Sequence, residues 1–336
     1  MAINIGVIGL GYWGPNLVRN FSRIGSCRIK WLCDLEPRKL QDMKRLCSHA
    51  LITSDYTAVL KDNNTQAVVI ATPFLTHYKI AKKALESGKH VFIEKPFVAS
   101  ESQAEELINI AKKKRVVLMI GYTYVYSPAV RKIKSIIDSG GLGSAYYINS
   151  VRVNFGIFRK EENVVWDLAV HDFSIISYWF DGLAESIMCT GRDSLKRGYA
   201  DTALLAVNFK NNPTVYILAS WLSPIKMRNM IIAGSKKMIF FNDERGTEKI
   251  KIYSQDSNLS KVSFSAEYQP RYNKSSVFSP WLECVESIEI EARHFINCIK
   301  NHENPITDGE FGLRVIKELQ AADKSLKHNK TVYLTK

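Results

Sequence analysis

The chain has 336 residues, of which 46% are hydrophobic and 24% charged, with a formal net charge of +13. That length exceeds one ordinary hydrophobic core and predicts two domains, and the balance of residue types excludes bulk disorder. The longest apolar stretch, residues 116–126 with Gly121 inside it, falls short of the roughly 20 residues that span a bilayer. A charged leader, a long apolar core and a cleavage site are all absent from the first residues, so a cytoplasmic protein with no membrane partner is expected.

Lysines cluster at 82–83, 112–114 and 236–237. They form no concentrated stripe and no recognition module, which argues against a nucleic-acid partner. A basic surface instead favours an anionic small substrate. The six cysteines form no C-x-x-C pair, so packed thiols and no metal site are expected.

In chain order, "INIGVIG" (3–9) reads as a strand, residues 13–25 as a helix and "RIKWLCD" (28–34) as a second strand. An amphipathic helix follows over 37–47, with Pro37 in its first turn. Then come a short strand at Leu51–Ile52, a helix near 55–60 and a buried strand over 66–72. A helix over 76–89 is expected to be capped by Thr76 and closed by Gly88. A strand over 90–96, a helix over 100–114 opened by a Ser100/Gln103 capping box, and a strand over 116–122 complete the series. Repeated β–α units of this length predict a doubly wound parallel sheet, a Rossmann-type α/β domain over residues 1–125.

From 126 to 336 the pattern changes. A helix over 128–138 leads into the glycine-rich turn at 140–143. Strands are predicted over 145–155, 185–192, 202–209, 214–222, 229–234, 237–242 and 248–254, with a helix at 164–181 among them. Helices over 282–300 and 309–328 close the chain. This half reads as an α+β domain with a mostly antiparallel, open-faced sheet, whose last helix packs back on the first domain.

Gly9, Gly11 and Gly14 match G-x-G-x-x-G. The match gains meaning from its place, after an apolar strand and before a helix. Gly9 permits the tight turn, Gly11 leaves room for a pyrophosphate and Gly14 lets helix and strand pack closely. The N–H groups and positive end of the helix then hold the anion. Asp34 ends the second strand, where a carboxylate accepts the ribose hydroxyls of the adenosine and repels a 2′-phosphate. NAD is therefore favoured over NADP, although Arg38 one turn on softens that rejection.

Glu94, Lys95 and Pro96 end a parallel strand at the edge where open α/β sheets bind ligands. A lysine there can donate to a substrate hydroxyl and stabilise alkoxide charge. In "VVWDLAVHDFSIISYWF", Asp167 and His171 are four apart and share a helix face. Histidine titrates near neutrality and suits removal of an alcohol proton. A surface ion pair would give the same spacing.

Taken together, Gly9-x-Gly11-x-x-Gly14, "ATP" (71–73) followed by His77, Glu94-Lys95-Pro96 and Asp167-x-x-x-His171 resemble the glucose–fructose oxidoreductase/inositol dehydrogenase (Gfo/Idh/MocA) family. The resemblance implies a catalytic set of Lys95, Asp167 and His171. It also implies a cofactor site lined by Thr72, Pro73, His77, Glu94 and Lys95. "GLGYWGPNLVRNF", with Tyr12 and Trp13 in the loop, is similar to the branch that oxidises UDP-N-acetylglucosamine or its uronate at C3. In that branch the 3-keto product feeds an aminotransferase in lipid A or surface-polysaccharide synthesis. Tyr122 and Val170 depart from the family, where histidine and proline are usual. A deoxysugar ketoreductase, an inositol or free-sugar dehydrogenase, and a non-catalytic NAD-binding sensor or scaffold stay open.

Candidate substrate contacts are Arg152, Asn154, Arg159 and Lys160, which precede the catalytic helix; arginine suits a diphosphate or a sugar carboxylate. Tyr124 and Trp221 are candidates for stacking on the sugar or uracil. The open sheet face is expected to join copies into a homodimer or homotetramer.

Overall fold

The computed structural model describes residues 2–156, 162–210, 213–244, 246, 248–254 and 276–334. It begins with strands and helices in strict alternation: β1 (Ile3–Ile8), α1 (Gly14–Ser22), β2 (Cys27–Cys33), α2 (Pro37–Leu46), β3 (Leu51–Thr53), α3 (Tyr56–Lys61) and β4 (Ala67–Ile70). α4 (His77–Glu86), β5 (His90–Glu94), α5 (Glu101–Lys114) and β6 (Leu118–Gly121) continue it. The strands pair in parallel in the order β3-β2-β1-β4-β5-β6, the doubly wound Rossmann order. β4 and β6 are buried along their whole length, as strands covered by helices on both faces must be.

Helix ends follow local chemistry. Ser100 accepts from the Gln103 N–H (3.3 Å) while Gln103 Oε1 accepts from the Ala99 N–H (3.1 Å), a reciprocal start for α5. Thr76, expected to cap α4, does not: its hydroxyl turns back onto Thr72 Oγ1 (2.7 Å) and the Pro73 carbonyl (2.6 Å).

The chain divides into two compact units, Met1–Ser127 with Val285–Lys317, and Pro128–Cys284 with Glu318–Lys336. Residues 285–317, which a single boundary at 125/126 assigns to the second domain, thus group with the first. Packing explains this. α8 (Ser287–Asn301) sends Phe295 against Phe21 (6.2 Å between ring centres) and Phe92 (5.7 Å). Beyond it, the Ile120 N–H donates to the Thr307 carbonyl (2.9 Å) and Thr307 Oγ1 donates to the Ile120 carbonyl (2.7 Å). The segment after α8 therefore covers the outer edge of β6, which would otherwise offer unpaired backbone groups.

The second unit holds α6 (Pro128–Asp138), β7 (Ala145–Phe155), α7 (Val170–Phe180), β8 (Ser186–Arg192), β9 (Thr202–Asn208), β10 (Thr214–Ser220) and β11 (Leu222–Gly234). It continues through β12 (Lys237–Asn242), β13 (Ile250–Ser254) and β14 (Val277–Phe278). The later part of α9 (Gly309–His328) and β15 (Val332–Tyr333) complete it. The sheet order is β14-β13-β12-β11-β7-β10-β9-β8-β15. β7 and β10 run parallel, and the other pairings among the described residues are antiparallel. One face is closed by α7, whose Phe173, Ile175, Ile176 and Trp179 are buried. On the other face Tyr147, Leu204 and Tyr216 are 42%, 51% and 45% exposed, and the register places all three on the same side. Among the described residues no helix is long and apolar enough to cross a membrane.

Candidate active site

The first unit gathers its candidate residues at the carboxyl ends of its strands. β1 is followed to one side by β2 and to the other by β4, so a crevice opens above this switch point. Gly9 lies in it with φ +94°, where a side chain would place Cβ 2.6 Å from the Ala71 carbonyl. At Gly14 a Cβ would lie 2.5 Å from the Gly9 carbonyl oxygen, so the glycine sets how closely α1 meets β1. A Cβ at Gly11 would meet nothing within 4 Å. That open space sits before a helix whose first turn no side chain caps, the arrangement that receives a phosphate. Tyr12 and Trp13 flank it, 75% and 40% exposed, with their rings edge to face.

Asp34 follows β2 and reaches back to this loop. Its Oδ2 accepts from the Leu10 N–H (2.6 Å) and its Oδ1 from the Glu36 N–H (2.9 Å). The carboxylate is thereby fixed beside the glycines, where the ribose of a dinucleotide would lie. These residues fit NAD: an open phosphate seat, an uncapped helix start and an oriented acid.

On the β4 and β5 side, Thr72 and Pro73 follow β4, and Glu94 ends β5, with half-buried Lys95 after it. The Lys95–Pro96 peptide is cis. His77 is 1% exposed and lines nothing directly. Its Nδ1 lies 2.9 Å from the Pro96 carbonyl and its Nε2 2.9 Å from the Thr72 carbonyl. The ring thus braces two loops that border the crevice. Burial holds its pKa below the ordinary value, the carbonyls oppose that, and the Lys95 charge reinforces it.

Behind Lys95 lies a feature the motifs do not announce. Glu94 is buried, and burial pushes its carboxyl up to about 7 against the pull of Lys95. Glu291 of α8 is 0% exposed and is raised well above the ordinary range by burial and by Glu94. Thr123 Oγ1 donates to its Oε2 (2.7 Å). Tyr124, a candidate sugar contact, is half-buried in the turn that carries Thr123. Tyr122 is fully buried, its ring 5.7 Å from that of Phe311, so its departure from histidine is absorbed in the core.

In the second unit the segment expected to be one helix over 164–181 has two parts. Val165–Ala169 forms a π turn, and α-helical geometry begins at Val170. π turns recur at functional sites, and this one carries Asp167. Asn163 starts the segment: its Oδ1 accepts from the Val165 (3.0 Å) and Trp166 (3.3 Å) N–H groups. Its Nδ2 donates to Asp323 of α9 (2.8 Å), which also accepts from Trp166 Nε1 (2.6 Å). Burial raises the Asp323 carboxyl, and these two donors oppose the rise.

Arg152 is not a substrate contact. Its Nε donates to Asp172 Oδ2 (2.8 Å) and its Nη2 to Asp172 Oδ1 (3.1 Å), which also accepts from Ser150 Oγ (2.8 Å). The pair is buried and ties β7 to α7 one residue from half-buried His171. Trp221 is likewise corrected. It is 2% exposed, so it offers no open face for stacking, and its Nε1 donates to Asp167 Oδ2 (3.0 Å). Asn154 and Trp221 both lie against Gly156: a Cβ there would be 2.8 Å from Asn154 Nδ2 and 3.0 Å from the Trp221 ring. Asn154 Oδ1 is buried with no hydrogen-bond partner among the described residues. Arg159 and Lys160 lie outside the described residues.

With this geometry in place, comparison identifies the class. The model described as "Oxidoreductase family, NAD-binding Rossmann fold" (GFO/IDH/MocA) matches residues 3–122, and that of the GFO/IDH/MocA C-terminal domain matches residues 130–240. The chain belongs to the GFO/IDH/MocA family of NAD-binding oxidoreductases. It is 27% identical to the oxidoreductase YrbE of Bacillus subtilis, over 96% of this chain and 93% of that protein. It is 26% identical to myo-inositol 2-dehydrogenase of Thermotoga maritima, over 99% and 98%. Among solved structures, UDP-N-acetylglucosamine 3-dehydrogenase GnnA of Acidithiobacillus ferrooxidans shares the fold, with a TM-score of 0.84 at 21% identity over 98% of this chain and 99% of that one.

Proposed function

We propose that this oxidoreductase oxidises the C3 hydroxyl of a nucleotide-linked amino sugar, UDP-N-acetylglucosamine in the first instance, with Lys95, Asp167 and His171 as its catalytic set. The observation that carries the reading is the pairing, on one sheet edge, of an open phosphate seat at Gly11 with Lys95 at the end of β5. The fold shared with GnnA and the loop sequence "GLGYWGPNLVRNF" support the sugar nucleotide, and the net charge of +13 suits a diphosphate substrate. Bound NAD supplies the hydride acceptor. Gly9, Gly11 and Gly14 admit its pyrophosphate, and Asp34 accepts from its ribose hydroxyls. His171 removes the alcohol proton, while Lys95 donates to the same oxygen and stabilises its developing charge. Asp167 orients the reacting groups. Asn154 Oδ1 is an acceptor suited to a sugar hydroxyl.

A cytoplasmic dimer or tetramer joined through the face that exposes Tyr147, Leu204 and Tyr216 completes the proposal. Exposed apolar groups gathered on one sheet face support that surface.

The test is NADH formation by purified protein on UDP-N-acetylglucosamine, its uronate, myo-inositol and free sugars. Turnover is expected on the first and reduced by about 100- to 1,000-fold in Lys95→Ala. The Thermotoga relative favours a second reading, a free polyol as substrate. Turnover on myo-inositol with none on sugar nucleotides would establish it. NAD binding without turnover on any of these compounds would instead indicate a sensor or scaffold.

A further inference from the structure

Trp221 occupies the single residue between β10 and β11. Its backbone is held on both sides: its N–H donates to the Asp201 carbonyl (2.9 Å), and its carbonyl accepts from the Gly156 N–H (3.4 Å). Those contacts fix where the side chain leaves the sheet. Gly156 lies against the ring, since a Cβ there would approach Trp221 Cδ1 to 3.0 Å. The indole is 2% exposed and delivers its one polar group, Nε1–H, to Asp167 Oδ2 at 3.0 Å.

We infer that Trp221 is a positioning residue: its buried indole N–H holds the Asp167 carboxylate in one orientation. The inference rests on the reading of Asp167 as part of the catalytic set. Three physical points carry it. An indole N–H can only donate, so the partner oxygen must accept. A hydrogen bond to a carboxylate is stronger than one between neutral groups, and more so where water is largely excluded. Finally, Asp167 stands in a π turn, so ordinary helix geometry does not set its direction, and an outside anchor does. Trp221 therefore acts through Asp167 and makes no sugar contact of its own.

Trp221→Phe in the full-length protein removes the donor while keeping most of the ring volume. Relative to wild type on the same substrate, kcat is expected to fall roughly 10- to 100-fold, the scale of a lost hydrogen bond to a charged group. Substrate KM should stay within about twofold, because this bond orients a catalytic group and does not bind substrate. A raised KM with unchanged kcat would mean that the indole stacks on substrate and would overturn the inference. If Trp221→Phe fails to fold, Asp167→Ala, which removes the acceptor instead of the donor, is expected to move one indole N–H resonance and so still tests the contact.

A second measurement needs no turnover. The Trp221 Nε1–H resonance, assigned by its loss in Trp221→Phe, should move in Asp167→Ala; a resonance that stays in place overturns the contact. An absence of wild-type activity on every sugar would count against the proposed function, while this resonance would still decide the contact.

Discussion

The candidate residues of the two units are held in place by different materials. In the first unit, backbone does the positioning: the Leu10 N–H holds Asp34, the Thr72 and Pro96 carbonyls hold His77, and three glycines clear space. In the second unit, side chains hold side chains: Arg152 and Ser150 on Asp172, Asn163 and Trp166 on Asp323, Trp221 on Asp167. A backbone-built site admits a ligand that every member of a family shares, and it tolerates little change at its glycines. A side-chain-built site can be re-formed by exchanging partners, which suits recognition of one ligand among many.

The contrast breaks first at Arg152. Removing one member of a buried ion pair leaves the other charged and unpaired, at a cost of about 3–5 kcal/mol. Arg152→Met should lower stability by that amount in urea unfolding, and Asp172→Asn should rescue part of the loss by discharging the stranded partner. Equal losses in the single and double variants would show that the pair is not the link between β7 and α7.

The next test sets one half's buried acids against pH. Glu94 holds its proton up to about 7 in the folded protein, against an ordinary value of 4.5. The unfolded chain therefore binds fewer protons between those values. Stability falls as pH rises from about 4.5 to 7, and the loss is complete above that. Glu94→Gln should flatten this slope, so that between pH 5 and pH 8 the wild type loses on the order of 2–3 kcal/mol of stability that the variant keeps. Parallel pH profiles for variant and wild type would refute the assignment.

Much of the first half could be read from sequence. The G-x-G-x-x-G spacing, Asp34 after its strand and Lys95 at a strand end are local patterns, and each lies where its pattern requires. Glu291 could not be read this way. It meets Glu94 only because α8 returns to the first sheet, and no spacing links the two residues. Asp323 is hidden for the same reason. Arg152 and Trp221 carried the wrong signal: both are residue types common at binding surfaces, and only burial shows them committed to Asp172 and Asp167. Asn163 did carry a signal, an amide side chain just before a helix, in the position where such residues cap. The π turn had none, since its residues look helical in the sequence.

A pair of glycine variants sharpens what "backbone-built" means. Gly9→Ala puts Cβ 2.6 Å from the Ala71 carbonyl at φ +94°, so it should destabilise the fold by about 1–3 kcal/mol. Gly11→Ala meets nothing within 4 Å, so thermal unfolding without cofactor should match wild type while the Kd for NAD rises. If both variants lose stability equally, the open space at Gly11 is not reserved for a ligand.

The smallest effect expected concerns cofactor choice, and it tests the one side chain on which the backbone-built half depends. Asp34 anchors the Leu10 N–H of the glycine loop and, in the proposed function, presents oxygen to the ribose. Asp34→Asn keeps the shape and an acceptor for Leu10, leaves the exposed Glu36 N–H to water, and removes the charge that repels a 2′-phosphate. The loop should therefore hold, with unfolding within about 0.5 kcal/mol of wild type, while the preference for NAD over NADP in kcat/KM narrows by roughly tenfold, about 1.4 kcal/mol. Arg38, on the first turn of α2, is placed to assist the narrowing. If the loop loosens and the preference stays, Asp34 is mainly a strut of the loop, and selectivity against the 2′-phosphate comes from shape.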